Sequence, residues 1–414
     1  MNLSTAQRAP DDLDLTAPDF VADPYPILTA LRDRGPMLWH EPGGTEAGGI
    51  GASGMWLATT HAAVSAVLRE RALGRLWRDR EPGETFEPFN TLHRHQMMEN
   101  EPPAHTRLRR LVAKAFARGH VERLRPRVEQ IAAGLLDAVP HGSFDLVRDY
   151  AEPLPVAVIT ELLGVPAGDR RLLRDWSQAI VAMYEMQRSP EREQAAVRAS
   201  TDFAAYVREH LASRRVHPGT DLLSDLVAAR DAAGRLSEDE LVASVVLLLN
   251  AGHEASVNAF GNGMVALLRH RDQLADVAAG EVAVTTALEE LIRYDAPLQL
   301  FERTAARDVE VAGVRLRQGQ QVAALMGSAN RDEQVFSGTG FADADRLDVR
   351  RDPNPHVGFG MGVHFCLGAP LARMELAVSL RALLDRYPDL TLSGQPVQRT
   401  TFVLRGYQSI PAHP

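Results

Sequence analysis

A single cysteine, Cys366, is the residue best suited to chemistry in this chain of 414 residues. It lies in the stretch "HFCLGAPLAR", where Pro370 favours the first turn of a helix. The N-terminus of that helix would direct unpaired amide groups and the positive end of its dipole towards the sulfur, which favours a thiolate. We therefore expect Cys366 to be a metal ligand. Gly360, Gly362 and Gly368 are expected to adopt positive φ and to let the backbone approach a flat cofactor.

The glycine-rich stretches and Cys366 allow functions other than metal ligation. The glycine-rich stretch "GGTEAGGIGASG" lacks the Gly-Lys-Ser/Thr ending of a phosphate-binding loop. The stretch "GFGMGVHFCLG" has Phe365 where a dinucleotide-binding G-x-G-x-x-G pattern needs its third glycine. A buried, inert cysteine and a hydrolase that pairs Cys366 with His364 remain as alternatives on the residues alone.

Composition excludes several other classes of protein. The chain is 45% hydrophobic and 24% charged, as is usual for a globular protein with a large core. A net charge of −9 argues against a general nucleic-acid binder. One cysteine cannot form an internal disulfide and fits a reducing, cytoplasmic environment. The first residues show neither a signal peptide nor a membrane anchor, so we expect a cytoplasmic protein.

Most of the chain has the apolar spacing of helices. Helices are predicted at 105–118, 122–138, 154–163, 200–215, 237–269, 282–294 and 370–387. Short strands are predicted at "MLWH" and "MWLATT", which flank a long hairpin loop, and at "VEVAGVRL" and "QQVAALM". A late pair is expected between "TLSG" and "TFVLRG". The fold class is therefore mainly α with a small β portion, in one domain over residues 1–414.

The stretch "FGMGVHFCLG" resembles the haem-binding loop of the cytochrome P-450 family, with Phe359, Gly362, Cys366 and Gly368 at its fixed positions. The resemblance covers roughly residues 20 to 405, including the family's E-x-x-R in "EELIRYDAP". It also includes stretches similar to the C-helix, the oxygen-binding helix and the meander: "NEPPAHTRLRRLVAKAF", "LLLNAGHEAS" and "DRLDVRRDPNPHVGFG". All five occur in family order, which makes the match specific.

The resemblance implies a haem (heme b) with Cys366 as axial ligand to its iron. The thiolate would push electron density onto the iron and favour O–O cleavage. Residues at the family's cofactor-binding positions are His105, Arg109, Arg303, His364, Phe359, Gly360 and Gly368. Four of them would contact the haem propionates: His105 and Arg109, which share one helix face, His364, and Arg303, which shares a strand face with Phe301.

A structural ion-pair network is also implied by the resemblance. Glu290 and Arg293 supply the E-x-x-R, and Arg346 is assigned as their partner in the meander. The stretch "SGTGF" at 337–341 interrupts the family's usual spacing before that arginine.

The helix predicted at 237–269 carries the family's oxygen-activating positions. Ser237 and Glu240 predict a capping box at its start. Ala251 and Gly252 are small enough for haem and dioxygen to lie against the helix. We assign both to the catalytic site, together with Glu254 and Ala255. There the family usually has an acid and a threonine.

This chain has Glu254 and Ala255, so the acid is present and the alcohol is missing. Ser256 is rotated by about 100° from that site and is not a substitute. We therefore expect proton delivery to depend on a group of the substrate, with an ordered water chain as the alternative.

Electrons must come from outside the chain, because it has no flavin domain and no cysteines for an iron–sulfur cluster. We expect a ferredoxin and a ferredoxin reductase, which would meet arginines on the cysteine side of the haem. Candidates for that surface are Arg107, Arg110, Lys114 and Arg373.

The implied activity is oxidation of a small organic molecule with O2 by a monooxygenase. Oxidative C–C or C–O coupling and a non-catalytic haem-thiolate sensor are the alternatives. We expect the substrate to lie among four segments of the chain, at 77–98, 175–189, 296–301 and 401–404. Candidate lining residues are Phe86, Phe89, Trp176, Met183, Met186, Leu298 and Phe402, with Arg78, His93 and His95 as polar contacts.

Overall fold

A computed structural model describes residues 7–41, 54–113, 116, 118–186, 188–231, 234–338 and 343–414. Lys114 and most of the glycine-rich loop after the first strand lie outside the described residues, as does most of the predicted insertion at 337–341.

Helices dominate the described residues, as predicted. They are α1 Pro18–Ala22, α2 Tyr25–Arg34, α3 His61–Arg69, α4 Gly83–His95, α5 Ala104–Ala113, α6 Arg118–Ala138, α7 Pro153–Leu163, α8 Arg170–Val181, α9 Pro190–Val216, α10 Leu222–Ala228, α11 Glu238–Arg269, α12 Arg271–Ala278, α13 Val284–Tyr294, α14 Met326–Ala329, α15 Glu333–Phe336 and α16 Ala369–Arg386. The helix predicted at 200–215 begins earlier, at Pro190, because Ser189 caps it by accepting a hydrogen bond from the Arg192 amide.

The strands are short. They are β1 Met37–His40, β2 Met55–Ala58, β3 Leu73–Gly74, β4 Phe144–Asp145, β5 Arg230–Asp231, β6 Gly234–Arg235, β7 Leu300–Ala305, β8 Val309–Val311, β9 Val314–Leu316, β10 Gln321–Leu325, β11 Thr391–Leu392, β12 Val397–Gln398, β13 Tyr407–Ser409 and β14 Pro411–His413. The largest sheet has the order β1-β2-β10-β7-β3, with β2 and β10 parallel and the other neighbours antiparallel.

The hairpin predicted from "MLWH" and "MWLATT" is confirmed. β1 pairs with β2, and β8 pairs with β9 through a turn in which Ala312 and Gly313 both have positive φ. The predicted pairing of "TLSG" with "TFVLRG" is wrong, since β11 pairs with β14. The "TFVLRG" stretch instead runs beside residues 297–299, where it forms an isolated bridge between Leu298 and Leu404.

The long helix α11 passes through the largest hydrophobic cluster and organises the fold. The capping box is present: Ser237 Oγ accepts from the Glu240 amide at 3.2 Å, and the Glu240 carboxylate accepts from the Ser237 amide at 2.8 Å. Its length and hydropathy would suit a membrane span, but 78% of that apolar window is buried inside the protein. Between Leu241 and Leu268, three residues are not buried, namely Ala251, Gly252 and Ala255.

Candidate functional site

The Cys366 loop is built as the sequence predicts, with one correction. The Cys366 amide donates to the Phe359 carbonyl oxygen at 2.9 Å, which closes the loop just before α16 begins. Gly360 and Gly362 have φ of 68° and 70°, so positive φ is confirmed at both. At Gly368 the prediction is wrong: its φ is −82°, because it is the N-cap of α16 and leads directly into helical backbone.

Gly362 is also required by close packing against another segment. A Cβ added there would lie 2.4 Å from the Leu68 carbonyl oxygen at the end of α3. The loop therefore sits directly against α3, and only glycine allows this approach. This contact fixes the loop that carries Cys366.

The surroundings of the Cys366 sulfur favour the neutral thiol unless a metal cation is bound. Burial raises the pKa of the thiol above its ordinary value. The amides of Gly368 and Ala369 and the charges of Arg109 and Arg373 act in the opposite direction. A thiolate at this place would therefore have oriented amide donors but would need a metal ion to offset its burial.

Nitrogen-bearing side chains are buried together beside this loop. His105 is 3% exposed, its ring lies 4.5 Å from that of His364, and its Nε2 has no hydrogen-bond partner. Arg303 is 2% exposed and donates to the Glu302 carbonyl oxygen at 3.0 Å. Burial lowers the pKa of Arg303 to about 9 and that of His105 to about 4. Neither side chain has a carboxylate at ion-pair distance among the described residues, and buried nitrogen donors of this kind fit an anionic group such as a haem propionate.

Arg109 is placed differently from the other expected propionate contacts. Its Nη2 donates to the Phe365 carbonyl oxygen at 2.7 Å, so it contacts the Cys366 loop directly. The predicted common side of Phe301 and Arg303 is confirmed, because the Arg303 guanidinium lies 4.5 Å from the Phe301 ring centre.

Sequence reasoning missed an acidic residue in this cluster. Glu101 accepts from His364 Nε2 and from the Arg75 amide, each at 2.7 Å. Burial acts to raise the pKa of Glu101, but these two hydrogen bonds outweigh it and keep the carboxylate charged. Glu101 precedes α5 in a loop, and no local pattern in the sequence marks it.

Three small residues form the unburied face of α11. Ala251 is exposed, and Gly252 and Ala255 are half-buried, on a helix that is otherwise covered by protein. A Cβ at Gly252 would lie 3.1 Å from Ile159, so this glycine also lets α11 pack closely on α7. Ser256 is buried, and its Oγ is 3.5 Å from the Gly252 carbonyl oxygen.

Glu254 is 4% exposed and is held by two partners. Its carboxylate lies 3.3 Å from Arg399 Nη1 and 3.4 Å from His253 Nε2. Burial acts to raise the pKa of Glu254, but the contacts with His253 and Arg399 lower it overall. Glu254 is therefore ionised at neutral pH. Its partner Arg399 is about one-quarter exposed, so the ion pair reaches the surface.

The predicted ion-pair network exists, but its third member is wrong. Glu290 and Arg293 are fully buried and joined at 2.6 Å and 2.8 Å. The meander partner is Arg351, which is 1% exposed and lies 3.2 Å from Glu290. Arg346 is exposed and contributes only its carbonyl oxygen, at 3.0 Å from Arg293.

Many of the expected substrate-lining residues belong to the core. Phe86, Phe89, Met183 and Phe402 are each at most 6% exposed. His93 is 1% exposed and is stacked with Trp77 and Phe89, and its Nε2 lies 3.2 Å from the Tyr184 hydroxyl. Arg78 is exposed, and His95 bonds to the Thr91 carbonyl of its own helix.

The hydrolase alternative finds no support in this geometry. A nucleophile needs a base within hydrogen-bond reach. The described contacts of His364 join its Nε2 to Glu101, and no hydrogen bond between His364 and the Cys366 sulfur occurs among the described residues.

The chain is similar to known proteins in both sequence and structure. The family profile described as Cytochrome P-450 matches residues 283–404. The chain is 39% identical to Cytochrome P-450 monooxygenase PikC of Streptomyces venezuelae, over 99% of this chain and 95% of PikC. It is 38% identical to 6-deoxyerythronolide B hydroxylase of Saccharopolyspora erythraea, over 96% and 98%. The structure of P-450BioI with an acyl carrier protein bearing hexadec-9Z-enoic acid matches with a TM-score of 0.87 and 30% identity, over 96% of this chain and 99% of that one.

Proposed function

Because the chain belongs to the cytochrome P-450 family of haem-thiolate monooxygenases, we propose that it oxidises a small molecule of secondary metabolism with protons delivered through a group of that substrate. Haem, when bound, supplies the activation of dioxygen by two electrons. A relative named 6-deoxyerythronolide B hydroxylase and another named for polyketide biosynthesis support the assignment to secondary metabolism. We place the reaction in the cytoplasm.

The haem would be held by residues whose present surroundings fit it. Cys366 is the ligand to iron, with amide donors directed at its sulfur. His105 and Arg303, which are buried and lack carboxylate partners at ion-pair distance among the described residues, would bind propionates together with His364 and Arg109.

The observation that carries the proposal is the chemistry of the unburied face of α11. Ala255 offers no hydroxyl on that face, and Ser256 is turned to the helix backbone. Glu254 would take up protons from solvent beside Arg399, which is about one-quarter exposed, but its carboxylate is engaged with Arg399 and His253. A hydroxyl or N–H on the substrate, beside Ala255, would complete the path to the reacting oxygen.

Coupling measurements test this proposal. A substrate is first found by screening small natural products for a shift of the haem absorption band. Product formed and peroxide released per NAD(P)H consumed are then measured for that substrate and for an analogue lacking one hydroxyl or N–H. We expect tight coupling with the substrate and peroxide release with the analogue.

Variants identify the position responsible. Ala255→Thr is expected to restore coupling on the analogue, provided that the added methyl group fits. Glu254→Ala is expected to slow turnover of both compounds, whereas Ser256→Ala, the matched control, leaves coupling unchanged. Equal coupling for both compounds in the unmodified enzyme would reject substrate assistance in favour of a protein-held water chain. If the product gains no oxygen atom, the enzyme catalyses oxidative coupling. If there is no turnover, the protein is a sensor.

A ferredoxin, reduced by its reductase, is the proposed electron donor. Arg110 is exposed on α5, the helix whose Arg109 contacts the Cys366 loop. Arg107 is paired with Glu240, and Arg373 is paired with Glu289 while lying over the Phe359 ring. Lys114 lies outside the described residues. Arg110 is exposed, and we use it to test this surface.

A further inference from the structure

Two arginines from different segments meet at one backbone carbonyl group. Arg80, just before α4, has its Nη2 3.4 Å from the Met183 carbonyl oxygen. Arg188, just before α9, has its Nη1 3.1 Å from the same oxygen. Met183 belongs to the short 3-10 turn Ala182–Tyr184. The two arginines thus bring together the two segments expected to close over the substrate.

The charge of Arg80 is poorly compensated in this arrangement. No carboxylate lies within 4.0 Å of Arg80 among the described residues, and its buried Nε has no hydrogen-bond partner. Burial, and then the positive charge of Arg188, lower the pKa of Arg80 to about 10. The guanidinium of Arg188 lies 3.9 Å from Glu193, whose side chain is 34% exposed. A partly buried cation without a close counterion is costly, so an acceptor supplied by a ligand would be stabilised here.

The arginine pair is connected to the haem side of the site. Arg75 is paired with Glu99 and lies 4.8 Å from the Phe301 ring centre, the same ring that Arg303 contacts at 4.5 Å. Glu99 neutralises Arg75 and acts on Arg80 only at longer range. Charged groups therefore extend from Arg303, the proposed propionate contact, towards the lid, and Arg80 is the member without a close counterion among the described residues.

We propose that Arg80 and Arg188 bind a carboxylate group of the substrate, so that this enzyme acts on carboxylate-bearing molecules. Two guanidinium groups that converge on one oxygen acceptor can bind the two oxygens of a carboxylate, and such charge-assisted hydrogen bonds are strong. This inference names the substrate class of the proposed function and rests on it. If the arginines serve only to hold the Met183 turn, they bind no substrate anion.

Ligand titration of the haem-loaded protein tests the proposal. Three acids of different shape are used, tetradecanoic, indole-3-acetic and biphenyl-4-carboxylic acid, each beside its methyl ester. Binding is followed by the shift of the haem absorption band. We expect at least one acid to bind about tenfold to a hundredfold more tightly than its ester. If no acid binds tenfold more tightly than its ester, including the case in which none binds, the proposal is rejected.

Variants separate substrate binding from support of the lid. Arg80→Gln is expected to abolish the preference for the acid while leaving ester affinity unchanged, and Arg80→Lys to retain part of it. Arg198→Gln, at an exposed position of α9, is the matched control. Equal weakening of acid and ester in Arg80→Gln would assign Arg80 a purely structural role. A carbon monoxide difference spectrum of the same samples reports haem-thiolate ligation independently, so failure of the family function is seen separately.

Discussion

Replacing Arg351 with alanine is expected to destabilise the protein, whereas replacing Arg346 is not. Arg351 is 1% exposed, and its Nε lies 3.2 Å from a carboxylate oxygen of fully buried Glu290. It also donates to the Phe336 carbonyl oxygen. Glu290 would keep its bonds to Arg293 in the variant, so the cost includes at least one charge-assisted hydrogen bond and one unpaired carbonyl group. Together these amount to about 3 kcal/mol of unfolding free energy.

This cost converts into a measurable shift of the melting temperature. An unfolding entropy of about 2.1 cal/mol/K per residue, over 414 residues, gives about 0.9 kcal/mol/K. Arg351→Ala should therefore lower the unfolding midpoint by about 3 to 4 °C. Arg346→Ala removes an exposed side chain and should lower it by less than about 1 °C. Arg351→Lys, which keeps the charge but loses the planar fork, should give an intermediate value.

The assay is thermal unfolding of the haem-loaded proteins, followed by far-ultraviolet circular dichroism and by absorbance of the haem band. Midpoints are compared without assuming a two-state transition, since the chain is long. If Arg346→Ala lowers the midpoint as much as Arg351→Ala, the network described for Glu290 is wrong. If neither has an effect, the network does not contribute to stability.

The pKa of Glu375 is raised well above its ordinary value by burial, so it keeps its proton when folded at a pH where the unfolded chain has lost it. The unfolding free energy should then fall from about pH 4.3 upwards, by as much as about 1.4 kcal/mol per pH unit, and Glu375→Gln should remove that slope. If the unfolding midpoints of the unmodified protein and of Glu375→Gln change in parallel between pH 5 and 8, this assignment is wrong. Arg110→Glu should slow reduction by ferredoxin at low salt without changing substrate affinity or reduction by dithionite. Unchanged ferredoxin-driven rates would remove this part of α5 from the electron-transfer surface.

Local features of the site followed from the sequence because each depends on neighbouring residues. Pro370 and the glycines predicted the loop and helix around Cys366, and Ser237 predicted the start of α11. The alternation of Phe301 and Arg303 along a strand placed both on one side. Such signals act over a few residues, where the geometry of a helix or strand is the same in every fold.

Contacts between distant segments were decided by the tertiary structure alone. The sequence offered several arginines after the insertion, and only the packing of the meander on α13 selects Arg351 for Glu290. Glu101 reaches His364 across 263 positions of sequence, and Arg80 reaches the Met183 carbonyl across 103. No periodicity marks these residues, because their partners depend on how loops cross in space. A buried charge acquires its role from the partners that packing brings to it, and that choice is made only when the chain has folded.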